Sequence, residues 1–192
     1  AKEMVIVVNR NDPDSLSIGK HYARQRGIPE SRIVQLSAPI KETITIAEYA
    51  KTVANPLLNA LIENEWVKGV KDGSKDAYGR ERLSVSIHSI PFVVLIKGVP
   101  LRIANDPLLL EESTANLSAQ FRVNNGSVDG EIALLLAPPR TSMTALVPNP
   151  YFEKNSISST DANRLLRVTR LDGPTKANVM NLIDRTLKAE EI

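Results

Sequence analysis

Pro91-Phe-Val-Val-Leu-Ile-Lys-Gly-Val-Pro-Leu-Arg-Ile103 is the most apolar strand-like stretch of the chain, and it runs straight into a polar turn. An unbroken run of β-branched and aliphatic residues is the mark of a strand buried on both faces, as in a parallel sheet covered by helices. Met4-Val-Ile-Val-Val8 repeats the pattern and gives way to the polar string Asn9-Arg-Asn-Asp12. Arg32-Ile-Val-Gln-Leu36 and Leu165-Leu-Arg-Val-Thr169 are expected as two more strands. Leu83, Val85 and Ile87 alternate with Ser84, Ser86 and His88, as in a half-exposed strand leading into the central one.

Between these strands the spacing turns helical. Asp12 and Pro13 fit the N-cap and N1 positions of a helix that should reach Gly27, with Pro29 as its stop. Its apolar face would carry Leu16, Ile18, Gly19, Tyr22 and Ala23, which leaves His21 on the solvent side. Thr45-Ile-Ala-Glu48 is a capping box at the head of a second helix, and Pro56 should kink or divide that helix near Asn55. Asp106-Pro107 is expected to open a helix towards Phe121, which Asn124-Asn-Gly-Ser127 would end. Ser127 to Leu136 fits a capped short helix or a strand, stopped by Pro138-Pro139. The last helix follows Arg170-Leu-Asp-Gly-Pro-Thr175, with Pro174 at N1 and Val179, Met180, Ile183 and Leu187 on its buried side. Lys68 to Arg82 is Gly- and charge-rich, with no apolar period over Lys71 to Asp76, and is expected as a solvated excursion, and the stretch 137–163, with four prolines, as a flap or partner surface or else a disordered segment.

Strands alternating with helices call for an α/β fold: a Rossmann-like three-layer sandwich, with a mainly parallel sheet and helices on both faces. The chain, residues 1–192, has the length of a single domain with one core. Its final helical pattern runs into Lys188-Ala-Glu-Glu-Ile192 with no Gly or Pro stop, which suggests the N-terminal part of a longer protein.

In such sheets function gathers outside the carboxyl ends of the strands. That edge would bring together Arg10 and Asp12 after the first strand, Lys97 and Arg102 after the central one, and Arg170 and Asp172 after the last, with Asp129 from Ser127-Val-Asp129 beside them. Such a cluster can hold a carboxylate or phosphate through bidentate Arg contacts. It can equally be structural, with Asp12 and Asp172 as helix caps, Asp129 in the first turn of a short helix and Arg–Asp ion pairs at loop ends.

Composition narrows the chemistry. Lys and Arg number 24 against 22 Asp and Glu, a net charge of +2 that gives no reason to expect nucleic acid or an anionic membrane as partner. There is no Cys and there are only two His, so thiolate or His-rich metal sites and cysteine nucleophiles are not expected, and no cofactor is called for. No run approaches the roughly 18 apolar residues of a membrane-spanning helix, so the expectation is a soluble protein, cytoplasmic or exported after leader removal. Neither a dinucleotide fingerprint, a P-loop nor a Gly-x-Ser-x-Gly elbow is present.

Several motifs together carry a resemblance. Val5-Ile-Val-Val-Asn9 with Asp12-Pro-Asp-Ser15, Tyr22-Ala-Arg24 with Arg26-Gly-Ile-Pro29, Lys97-Gly-Val-Pro-Leu-Arg-Ile103, Ser127-Val-Asp129, Asn149-Pro-Tyr-Phe152 and Val168-Thr-Arg-Leu-Asp-Gly-Pro174 resemble an uncharacterised bacterial protein family along nearly the whole chain. Its members are usually longer. A fainter resemblance links the order of strands and Asp segment to the first half of gingipain-type cysteine peptidases, which have a caspase-like fold. Those enzymes carry catalytic His and Cys in a later subdomain that this sequence lacks, so no catalytic residue is carried over.

The leading expectation is therefore a non-catalytic Rossmann-like scaffold domain of a larger bacterial protein, which a downstream domain of the same chain would complete. A rival is a small-ligand or hydrolase site at the carboxyl-end edge, which requires Lys97, Arg102, Asp129 and Arg170 to converge on one pocket. A third is an interaction module built on the 137–163 loop.

Overall fold

The computed structural model describes residues 3–110, 116–137 and 165–190. The chain opens with strand β1 (Met4–Asn9) and helix α1 (Ser15–Gln25), then strand β2 (Ile33–Leu36). A two-residue strand β3 (Thr43–Ile44) leads into α2 (Ile46–Tyr49), a π-helical turn (Ala50–Ala54) and α3 (Asn55–Glu63). Strands β4 (Val67–Lys75), β5 (Glu81–His88), β6 (Phe92–Ile96), β7 (Arg102–Ile103) and β8 (Gly126–Ser127) follow, then α4 (Val128–Ala133), β9 (Arg167–Leu171) and α5 (Lys176–Glu190).

The protein is a mixed α/β molecule around a four-stranded, all-parallel sheet of order β2-β1-β6-β9. Ile6 on β1 sits between Ile33 on β2 and Val94 on β6, and Val94 faces Thr169 on β9. From β1 the chain moves to one side for β2 and returns to the other for β6. The strand order therefore reverses at β1, which opens a crevice between the exits of β1 and β6. Two small sheets accompany it: β3-β7-β8 is mixed, and β4-β5 is an antiparallel pair.

The alternation along each strand sorts the core into two clusters. Val5, Val7, Val93 and Leu95 pack with Tyr49, Val53, Leu57 and Leu61 of the α2–α3 segment. Ile6, Val8, Val94 and Ile96 pack with Ile18 and Ala23 of α1 and Val179 and Ile183 of α5. Gly19 lets α1 approach closely, since a Cβ there would lie 2.5 Å from Cγ1 of Val8.

The capping box at Thr45 and Glu48 forms, with both reciprocal bonds made. Pro56 divides the second helical region as expected: the π-helical turn ends at Ala54, and Pro56 falls in the first positions of α3, where its missing N–H is not needed. Ser127 caps α4, so the segment that fitted either helix or strand is a helix.

Other expectations are corrected. Helix α1 starts at Ser15 with Asp14 at its N-cap, instead of at Pro13 behind an Asp12 cap, because the Asp12 carboxylate accepts the Asp14 N–H at 2.8 Å and holds a turn there. His21 is no solvent-side histidine: its Nε2 lies 2.7 Å from Oδ1 of Asp184 and ties α1 to α5. Residues 68–82 are no structureless excursion, since most of them build the β4–β5 hairpin. Among the described residues, the helix expected from Asp106 towards Phe121 is replaced by two 3-10 turns, Pro107–Leu109 capped by Asp106 and Ala119–Phe121. The last strand begins two residues later than its apolar run and so takes in Arg170. The 137–163 loop, beyond Ala137, and Asn149-Pro-Tyr-Phe152 lie outside the described residues. Among the described residues no helix is long and apolar enough to cross a membrane.

Candidate functional site

Asn9 organises the carboxyl-end edge. It ends β1 fully buried, so its amide must find its partners within the protein. Its Nδ2 donates to the carbonyls of Gly98 at 2.8 Å and Ala38 at 3.1 Å, and its Oδ1 accepts the N–H of Ala38 at 3.1 Å and of Asn11 at 3.2 Å. One side chain thus joins the exits of β1, β2 and β6. Buried Ser15 adds its hydroxyl as acceptor for the Asn9 N–H at 3.0 Å.

After β6 the chain turns sharply at Gly98, whose φ is +94°. A Cβ at Gly98 would lie 2.5 Å from Oδ2 of Asp12, so only glycine lets the turn pack on that carboxylate. Asp12, Lys97 and Asp172 line one open cleft of about 530 Å³, with Lys41, Glu42 and Ile40 from the loop before β3. This is the crevice where the strand order reverses.

The seven residues singled out from sequence separate into three groups. Asp12, Lys97 and Asp172 share the cleft. Arg170 and Asp129 are engaged with each other instead: Nε of Arg170 lies 3.1 and 3.0 Å from the two carboxylate oxygens, and its terminal nitrogens donate to the carbonyls of Val99 at 2.7 Å and Pro100 at 3.0 Å. This pair braces the turn after β6. Arg10 and Arg102 stand on the exposed flanks, with Arg10 bonded to the Ser37 hydroxyl and Arg102 to Glu42 at 3.2 Å.

Within the cleft, Lys41 is held by Glu48 at 2.9 Å, and Glu42 by Arg102. The Glu48 carboxyl is held below its ordinary value, first by the backbone N–H of Thr45 and then by Lys41. Asp12, Asp172 and Lys97 have no ion-pair partner among the described residues. Among the described residues, the Asp172 carboxylate accepts only the N–H of Gly173, at 2.8 Å.

No family model, curated protein or solved structure matches the chain. What the cleft can do therefore follows from its geometry alone. Two carboxylates and one ammonium, all without charged partners among the described residues, offer complementary places for a cationic and an anionic group of one small molecule. Among the described residues no group of three or more His, Cys, Asp or Glu is placed to hold a metal ion. The role of Asn9 was not legible as such, because a lone Asn at a strand end reads as loop chemistry until its distant partners are known. Lys41 and Glu42 gave no signal at all, since their loop follows a different strand from those that carry the motif residues.

Proposed function

We propose that the chain is a Rossmann-like three-layer sandwich that binds a small polar ligand, bearing an amino group, in the cleft at the carboxyl ends of β1, β6 and β9. In this reading it is a non-catalytic domain of a larger bacterial protein, on a scaffold akin to the gingipain-type, caspase-like peptidases. The observation that carries the binding role is the meeting of unpaired Asp12, Asp172 and Lys97 in one open cleft. The hydrolase form of the site has less support: of the four groups it requires together, Arg170 and Asp129 brace the turn and Arg102 pairs with Glu42.

The test is a thermal-shift and amide-titration series with amino acids and short diamines, against matched simple anions. A ligand present at a hundred times its Kd stabilises the fold by about 2.7 kcal/mol. For a chain of this size that is a rise in Tm of roughly 5–10 °C. Lys97→Gln should weaken amino acids, whose carboxylate it would meet, and spare diamines. The binding role fails if no amino-bearing compound gives a saturable response. The non-catalytic role fails if this domain alone hydrolyses peptides or esters and the activity survives purification to homogeneity.

A further inference from the structure

The β4–β5 hairpin holds a second cavity, far from the carboxyl-end edge in sequence and independent of the cleft reading. In the hairpin register Lys71 faces Leu83, and the next recorded pair is Lys75 with Glu81. Three residues of β4, Asp72 to Ser74, therefore span the space that Arg82 alone spans on β5, and the longer strand must arch. The Asp72 carboxylate fixes the arch by accepting the N–H of Ser74 at 2.8 Å and its hydroxyl at 2.7 Å. A cavity of about 220 Å³ lies there, lined by Lys71, Gly73, Ser74, Lys75, Glu81 and Arg82.

The charges lining it do not balance. Glu81 is taken by Lys71 at 2.6 Å, and Lys71 also donates to the Asn59 amide oxygen. Lys75 and Arg82 have no ion-pair partner among the described residues, although the Asp72 carboxylate is held below its ordinary value by Ser74 first and, more weakly, by the charge of Arg82. The Nε of Arg82 is buried and lacks a hydrogen-bond acceptor. A buried guanidinium nitrogen with no acceptor is unfavourable, and a planar fork of donors beside an ammonium fits an oxyanion. Arg82 also borders a smaller inner cavity, but Asp76 and Glu131 there are already bonded to Arg80.

We propose that this cavity is a binding site for a phosphate monoester, with Arg82 as the bidentate donor and Lys75 as the second cation. A carboxylate would neutralise one of the two unpaired cations, whereas a phosphate monoester carries about −1.5 to −2 at neutral pH and meets both. The phosphate can belong to a soluble metabolite or a lipid headgroup, and Val70 and Ile87 stand exposed on the same hairpin.

The experiment follows backbone amides of the isotopically labelled chain during titration with inorganic phosphate and glycerol phosphate at constant ionic strength, with acetate as the control anion. Phosphate should give saturable shifts centred on Gly73, Ser74, Lys75 and Arg82. Arg82→Gln should weaken binding at least tenfold and Lys75→Gln several-fold, while Lys68→Gln, outside the cavity on the same strand, should change it less than twofold. Lys75 is exposed, so its variant keeps the test valid if Arg82→Gln unfolds the hairpin. Sedimentation with phosphatidylcholine vesicles, with and without phosphatidic acid, separates the sources. Binding to the acidic vesicles that Lys75→Gln weakens several-fold identifies a lipid headgroup, and saturation by free phosphate alone identifies a soluble ligand. Equal shifts with acetate, equal losses in Lys68→Gln and Lys75→Gln, or no response to either phosphate source overturns the proposal. None of these outcomes touches the amino-bearing ligand test of the cleft.

Discussion

Replacing Asn9 with Ala probes the join that makes the carboxyl-end edge a single structure. Four hydrogen bonds disappear, but their losses are unequal. The Ala38 carbonyl keeps a partner, because the Asn11 side chain also donates to it at 2.9 Å. The Asn11 N–H sits on an exposed residue and can turn to water. The Ala38 N–H, on a residue with no exposed surface, and the Gly98 carbonyl are left without the amide. Each orphaned group costs about 1–3 kcal/mol, so the substitution should destabilise the fold by about 2–6 kcal/mol. For a chain of this length the middle of that range lowers Tm by roughly 8–16 °C. Chemical denaturation gives the free energy directly, and amide exchange at Lys97 to Val99 should quicken well beyond the global change. Asn9→Asp sharpens the test. It keeps the acceptor but replaces the donor by a second acceptor oxygen that faces two carbonyls, and burial raises its folded pKa, so its deficit is fullest at neutral pH and shrinks on acidification. A loss below about 1 kcal/mol for Asn9→Ala, with unchanged exchange in the turn, would show that the edge does not depend on this side chain.

Three further outcomes follow from the same geometry. Gly98→Ala forces a side chain into a left-handed turn and onto Asp12, and should cost about 1–3 kcal/mol; amide shifts that leave Asp12 and its neighbours unmoved would contradict the packing. Arg170→Ala leaves the partly exposed Asp129 unpaired and frees two carbonyls, an expected loss of about 2–3 kcal/mol after allowance for that exposure. Asp129→Ala should cost less, since Arg170 keeps the carbonyls, and a double-mutant cycle with no coupling would refute the brace. The Glu48 carboxyl is held below its ordinary value, first by the Thr45 backbone N–H and then by Lys41. Its contribution is therefore complete at neutral pH and is lost as the pH falls through that lowered value. The gap between wild type and Glu48→Gln in denaturation midpoint should close as the pH falls through that lowered value, and a gap that widens on acidification would reverse the sign.

Local signals carried much of the architecture. The apolar run Phe92–Ile96 is the inner strand β6 because Val93 and Leu95 enter one core cluster and Val94 and Ile96 the other, a burial of both faces that an unbroken apolar run displays. The capping box at Thr45 and the buried stripe of α5 were equally plain, since their partners lie within a few residues. Arg170 shows the limit. A charged residue two positions past an apolar run reads as loop, yet it belongs to β9, because Asp129 and the Val99 and Pro100 carbonyls satisfy it. The hairpin was hidden for a related reason: lysines and glycines blur its period, and its pairing is set across the strands.

The amino-acid sequence by itself determined which segments would be the strands of the parallel sheet, the capping box at Thr45, and that cysteine chemistry is absent from these residues, whereas the last helix starts at Lys176 and not at the expected Pro174. Those properties rest on contacts between neighbours along the chain. Only the tertiary structure decided which of the charged residues at the carboxyl-end edge remain unpaired. Asp12, Lys97 and Asp172 face a common cleft, while Arg170 and Asp129 satisfy one another. Side chains far apart in sequence meet only through the strand order, and the energy of a charge depends on the partners it meets there.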